Sequence, residues 1–201
     1  MTRVGLLGGT FDPPHYGHLV AAQEVAVQLS LDRVLFLPAS QNPLKRGDPI
    51  TPAEQRCEMV ALAIADNPVF ELSRLELDRP PPSYTADLLR VLHAPGRELF
   101  FIVGGDILPE LPRWREPHEL FRLSRLVVVN RPGVPHPDLD ALGDFDPKAR
   151  ERASIVEIPG LGIAARSLRR RVRDGLPIRY LTPPGVERYI AERGLYVRPP
   201  V

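Results

Sequence analysis

The sequence predicts an α/β domain built on an open, doubly wound parallel sheet, and three features predict it. Short unbroken apolar runs recur along the 201 residues, at Val4–Leu7, Val34–Leu37, Leu99–Val103 and Leu126–Val129. Segments with helical spacing of apolar residues separate them, and the first and third runs end in glycine pairs, Gly8-Gly9 and Gly104-Gly105. Unbroken apolar runs suit strands covered on both faces, which is the situation of a parallel sheet with helices above and below.

The elements follow in order. Val4–Leu7 is a strand stopped by glycines, and a helix runs from about Gly17 to Leu29. Val34–Leu37 then closes a βαβ unit at Pro38. After an irregular polar stretch, Ala39–Ile50, Thr51-Pro52-Ala53-Glu54 offers an N-cap, a proline at the first helical position and a capping-box Glu for a helix to about Ala65. Val69–Leu72 is a short strand, and Ser83 or Thr85 caps a helix to about Leu92. The strands at Leu99–Val103 and Leu126–Val129 come next, then a loop rich in Pro, Gly and Asp from Arg131 to about Lys148. Ile155–Ile158 is the last strand, Ser167–Arg173 a basic helix, and Thr182–Val186 opens a terminal helix ending near Gly194. No linker divides the chain, so residues 1–201 read as one domain with a C-terminal helical part from about 163.

Composition excludes several classes. No apolar run reaches the ~18 residues of a membrane span, and glycines interrupt the N-terminus too early for a secretory signal, so a cytoplasmic protein is expected. Cys57 is the single cysteine and stands in a helical segment, where it reads as core rather than as a thiol nucleophile or metal ligand. The net charge of +1 gives no general pull toward nucleic acid. It conceals an uneven placement: lysine occurs only at positions 45 and 148, leaving 24 arginines, several of them between Arg166 and Arg173. A homo-oligomer is compatible with these numbers, which do not specify one.

The densest chemistry lies in Gly8-Gly9-Thr10-Phe11-Asp12-Pro13-Pro14-His15-Tyr16-Gly17-His18, where the first strand feeds the first helix. Ligands of open α/β sheets bind at that edge, and glycines followed by a helix start bring backbone N–H groups to an anion. The loop has neither G-x-G-x-x-G nor G-K-[ST]; it has His15 and His18, whose spacing places both imidazoles on one helix face. The pair could ligate a metal or be structural, but two histidines without a carboxylate make a poor zinc site, and phosphate contact is the favoured reading.

This run resembles the G-x-F-x-P-x-H-x-G-H loop of the nucleotidyltransferase superfamily that includes cytidylyltransferases, pantetheine-phosphate adenylyltransferases and nicotinate mononucleotide adenylyltransferases. Further segments resemble the last of these in order: Pro82–Leu89 with Ser83-Tyr84-Thr85, Phe101–Asp106, Leu111-Pro112-Arg113-Trp114, Asn130-Arg131-Pro132-Gly133 and Gly194-Leu195-Tyr196. Pantetheine-phosphate adenylyltransferases lack the Ser-Tyr-Thr and Trp segments. The resemblance implies a Rossmann-like nucleotidyltransferase fold and adenylyl transfer from ATP to nicotinate mononucleotide, with Mg²⁺ carried mainly by the ATP phosphates and no nucleic-acid or membrane partner. It implies ATP contacts at Gly8, Gly9, Thr10, Phe11, His15, His18, Gly104, Asp106, Ile163 and Arg169, of which His15, His18 and Arg169, together with Lys45, act on phosphates. Tyr84, Thr85, Trp114 and Arg131 would hold the mononucleotide.

Two departures stand out. Where the family has I-S-S-T-x-I-R, this chain has Ile163-Ala164-Ala165-Arg166-Ser167-Leu168-Arg169, so backbone amides, Arg169 and either Ser167 or Arg166 must replace the hydroxyls. Lys45 follows Leu44 in Asn42-Pro43-Leu44-Lys45, where the family often has His. The amide mononucleotide or another phosphate such as phosphopantetheine is the alternative acceptor, and a nucleotide- or RNA-binding protein without catalysis is the reading from a different class.

Overall fold

The computed structural model describes residues 1–39, 51–79, 84–130, 133, 136–140, 142–143, 146 and 149–198. Six strands form one sheet: β1 (Thr2–Gly9), β2 (Arg33–Pro38), β3 (Phe70–Leu72), β4 (Arg97–Gly104), β5 (Arg125–Val129) and β6 (Ala153–Val156). Their order is β3-β2-β1-β4-β5-β6, with every neighbouring pair parallel. The main helices among the described residues are α1 (Tyr16–Gln28), α2 (Ala53–Ile64), α3 (Thr85–Leu92), α4 (Pro117–Leu123), α5 (Ala165–Arg173) and α6 (Pro184–Glu192), with a long 3₁₀ segment over Gly105–Arg113.

Both faces of the sheet are buried, which explains why the strands read as unbroken apolar runs. Leu7, Phe100, Ile102 and Val127 face a core completed by α1, α2, α5 and α6, whereas Val4, Leu6, Leu99, Phe101, Leu126 and Val128 face one completed by α3, the 3₁₀ segment and α4. Chain direction across the sheet reverses between β1 and β4, so the crevice at their C-terminal ends is the natural ligand site. The sequence-predicted class and both glycine turns are therefore found where expected.

Several local expectations change. The Thr51–Glu54 capping box does not form: Glu54 receives two 2.7 Å hydrogen bonds from Arg74, a fork that outcompetes a single backbone N–H, and Pro52 becomes the N-cap residue. The residue before α3 is Tyr84 rather than Ser83 or Thr85. The last strand is Ala153–Val156, because Leu126–Val129 pairs with those residues and Asn130 Oδ1 accepts the Ile158 N–H at 2.7 Å in place of a ladder bond. Helix α5 begins at Ala165, two residues before the expected Ser167. The terminal helix stops as expected: Gly194 takes φ 59°, and the N–H groups of Gly194 and Leu195 donate to the Ala191 and Ile190 carbonyls, the double bond of a Schellman turn.

Candidate active site

The loop after β1 turns sharply to present the histidines. Phe11 adopts φ 49° and is 2% exposed, its ring packed against Phe36 at 5.7 Å and edge-on to His18 at 5.0 Å. Phe11 thus supports the loop from beneath. His15 is the N-cap of α1 and His18 its third residue, and their rings stack at 3.7 Å with 21° between planes, on one face as the spacing predicts. The His15 backbone N–H donates to His18 Nδ1 at 3.2 Å. An accepting Nδ1 places the neutral imidazole's proton on Nε2, so His18 has a fixed N–H donor. A Cβ at Gly17 would lie 3.0 Å from the His15 ring, so any larger residue there would press on that ring.

Other residues expected to contact phosphate lie at or near this loop. Arg169 Nη1 donates to the Asp12 carbonyl at 2.8 Å across 157 residues of chain, which fixes α5 beside the histidines. The Ile163 carbonyl lies 3.7 Å from where a Gly17 Cβ would be. At the end of β4, Asp106 Oδ1 turns back over Gly104, occupying space a Cβ there would need at 2.5 Å. Strands β1 and β4 are paired through Leu7 and Ile102, so Gly8, Gly9, Gly104 and Asp106 share one edge.

The proposed mononucleotide side is built by α3 and the 3₁₀ segment. Tyr84 precedes the first turn of α3 and Thr85 begins it. Trp114 closes the 3₁₀ segment and stands edge-on to Phe101, 6.0 Å between centroids at 89°. Arg115 lies 4.5 Å over the Tyr84 ring, joining the two elements. Arg90 pairs with Asp87 on its own helix at 3.0 Å and ties α3 to α4 through Glu119 at 3.0 Å and Glu116. Lys45, Arg131 and Ser83 lie outside the described residues.

This edge combines a stacked imidazole pair, an arginine from a distant helix and a strand-end aspartate. A family model described as cytidylyltransferase-like matches residues 6–170, spanning all three. The chain belongs to that family. It is 53% identical over 194 residues to a probable nicotinate-nucleotide adenylyltransferase of Roseiflexus sp. (strain RS-1), covering 96% of this chain and 97% of the relative. It is 49% identical over 204 residues to a protein of the same name from Symbiobacterium thermophilum, covering 98% and 97%. Among solved structures, Plasmodium falciparum nicotinic acid mononucleotide adenylyltransferase complexed with NaAD matches 98% of both chains with a TM-score of 0.79 at 20% identity, a similarity of fold.

In this cytidylyltransferase-like chain, sequence reasoning missed the residues that hold the histidine loop. Asp12, 3% exposed, accepts from the Tyr196 hydroxyl on Oδ1 at 2.6 Å and from the Thr51 N–H on Oδ2 at 3.3 Å. Arg56, 1% exposed, donates Nη1 to the Thr10 carbonyl at 2.8 Å and Nε to the Thr51 carbonyl at 3.0 Å. Burial pulls the Arg56 pKa down, opposed by the nearby Asp12 charge. A signal for Arg56 was present: it shares the buried stripe of α2 with Met59, Val60, Ala63 and Ile64, where a charge needs a partner. Cys57 is buried and burial raises its pKa, in keeping with a core thiol.

Proposed function

We propose that this protein is a nicotinate-nucleotide adenylyltransferase, joining ATP and nicotinate mononucleotide to give nicotinate adenine dinucleotide and pyrophosphate. The observation that carries the reading is the stacked His15–His18 pair at the β1 edge, with Arg169 anchored on the same loop. Full-length relatives of that name support the substrate assignment.

The 5′-phosphate oxygen of the mononucleotide attacks the α-phosphorus of ATP, a P–O bond forms, and the bond to the β-phosphate oxygen breaks with release of pyrophosphate. The attacking phosphate is already anionic, so the protein supplies alignment and charge stabilisation rather than a base. His18 Nε2–H donates to phosphate oxygens as charge shifts toward the leaving group, and its ring stack with His15 fixes the direction of that donor. Arg169 holds the pyrophosphate end with the amides that open α5, in a segment without the usual hydroxyls. Asp106 accepts from ribose hydroxyls or from the water shell of a magnesium ion brought by ATP; that ion, when bound, neutralises triphosphate charge. Lys45 adds charge to the triphosphate. On the other side, the Trp114 ring stacks on the pyridine, and the Tyr84 and Thr85 hydroxyls with the free N–H groups of α3 take the carboxylate; Arg131 is a further mononucleotide-binding residue.

No helix among the described residues is long and apolar enough to cross a membrane, and we place the enzyme in the cytoplasm. Incubation of the purified protein with ATP and nicotinate mononucleotide should yield pyrophosphate and dinucleotide in equal amounts. Dinucleotide-free release of phosphate, or no release, would overturn the reading.

A further inference from the structure

We propose that Tyr196 is a positioning residue for adenylyl transfer, acting through Asp12 on both His18 and Arg169. The inference rests on the proposed function and assigns a task to the Gly-Leu-Tyr ending, which the chemistry above leaves unused.

The histidine loop is held from outside itself at several atoms. Arg56 of α2 takes the Thr10 carbonyl at 2.8 Å, Arg169 of α5 the Asp12 carbonyl at 2.8 Å, and Thr182 Oγ1 the Pro14 carbonyl at 2.7 Å. The Tyr16 N–H donates to the Leu181 carbonyl at 3.2 Å. Asp12 is where these ties meet chemistry: its backbone carries Arg169, its neighbour Phe11 packs against the His18 ring, and its carboxylate is held by Tyr196 across 184 residues. A shift of Asp12 therefore moves a phosphate-binding guanidinium and the support of an imidazole donor together.

The C-terminal segment is shaped to reach this carboxylate. Gly194 at φ 59° reverses the chain after α6, and Tyr196 itself takes φ 63°, a left-handed conformation unfavourable for a side chain with a Cβ. The strained residue is the one whose hydroxyl donates the 2.6 Å bond to Asp12. Burial and the adjacent carboxylate push its phenol well above the usual range, so it remains a donor at any working pH. A plain structural latch would need no such aim at the catalytic loop; a positioning device would.

Tyr196→Phe removes the hydroxyl and keeps the ring. With both substrates saturating, kcat should fall on the order of 10- to 100-fold, the scale expected when a small misplacement disturbs reacting groups. KM for the mononucleotide should stay within about twofold, since Tyr84, Thr85 and Trp114 stand on the other side of the sheet. The His18 imidazole resonances of ¹⁵N-histidine-labelled protein without substrate should shift. In an Asp12→Ala background, Tyr196→Phe should add no further loss of kcat, because its partner is gone. A kcat within about twofold of wild type, losses that multiply in the double variant, or unshifted histidine resonances would overturn the proposal. A wild-type protein that does not turn over these substrates would count against the proposed function instead, and the substrate-free resonances would still decide the role of Tyr196.

Discussion

Replacing His18 by alanine removes three things at once: the Nε2–H donor, the Nδ1 acceptor of the His15 N–H at 3.2 Å, and the ring stacked at 3.7 Å on His15. Loss of an oriented donor to developing charge should lower kcat by ~10²–10³, or about 2.7–4 kcal/mol of transition-state stabilisation. Loss of the cap acceptor at the start of α1 should cost about 1 kcal/mol of stability, which is ~2–4 °C in Tm for a chain of this size. The two effects separate in His18→Gln. Glutamine at the third helical position accepts the N-cap N–H as in a capping box, so stability should return while the aligned imidazole donor does not. Pyrophosphate release coupled to inorganic pyrophosphatase, with both substrates saturating, reads the first effect, and thermal unfolding reads the second. A His18→Ala enzyme within about threefold of wild-type kcat would refute the donor role. A His18→Gln variant no more stable than His18→Ala would refute the cap.

Trp114→Ala should raise KM for the mononucleotide roughly 5- to 160-fold, the worth of ~1–3 kcal/mol of aromatic stacking, and leave KM for ATP nearly unchanged; an unaltered mononucleotide KM would show that Trp114 only packs against Phe101. Glu76 is pushed up to about 7 by burial, against the pull of Arg56, from an ordinary 4.5. Its contribution to stability is therefore fully present below pH 4.5 and is lost as pH rises through 7, on the order of 3 kcal/mol in total. Glu76→Gln should accordingly gain Tm relative to wild type at pH 8 but not at pH 4, and a pH-independent difference would contradict this. Gly194→Ala forces a Cβ into φ 59° and should cost about 1–2 kcal/mol, seen as a lower urea midpoint with unchanged slope.

The strands most legible in the sequence were those buried on both faces. Val34–Leu37, Leu99–Val103 and Leu126–Val129 stand inside β2, β4 and β5 because each apolar side chain meets a core above or below the sheet. The 3₁₀ segment Gly105–Arg113 went unread because Pro109 and Pro112 argue against any helix, although tighter bonding tolerates them. Helix α4, seven residues behind a left-handed Glu116, is too short to show a period. The histidine pair was legible because its geometry is local, set by three residues of helix. The contacts that hold it were not: Asp12 to Tyr196 and Asp12 to Arg169 join residues 184 and 157 positions apart, and no spacing rule links them. Arg56 alone left a trace, as a charge on an apolar stripe.

Adenylyl transfer to the acid mononucleotide is tested by comparing kcat/KM for pyrophosphate release from ATP with nicotinate mononucleotide, NMN and phosphopantetheine on one preparation. Turnover with nicotinate mononucleotide should have a kcat/KM at least about tenfold above that with the amide, the separation given by ~1.4 kcal/mol of carboxylate recognition at the α3 terminus, and phosphopantetheine should give none. Equal or greater efficiency with NMN or phosphopantetheine would contradict it.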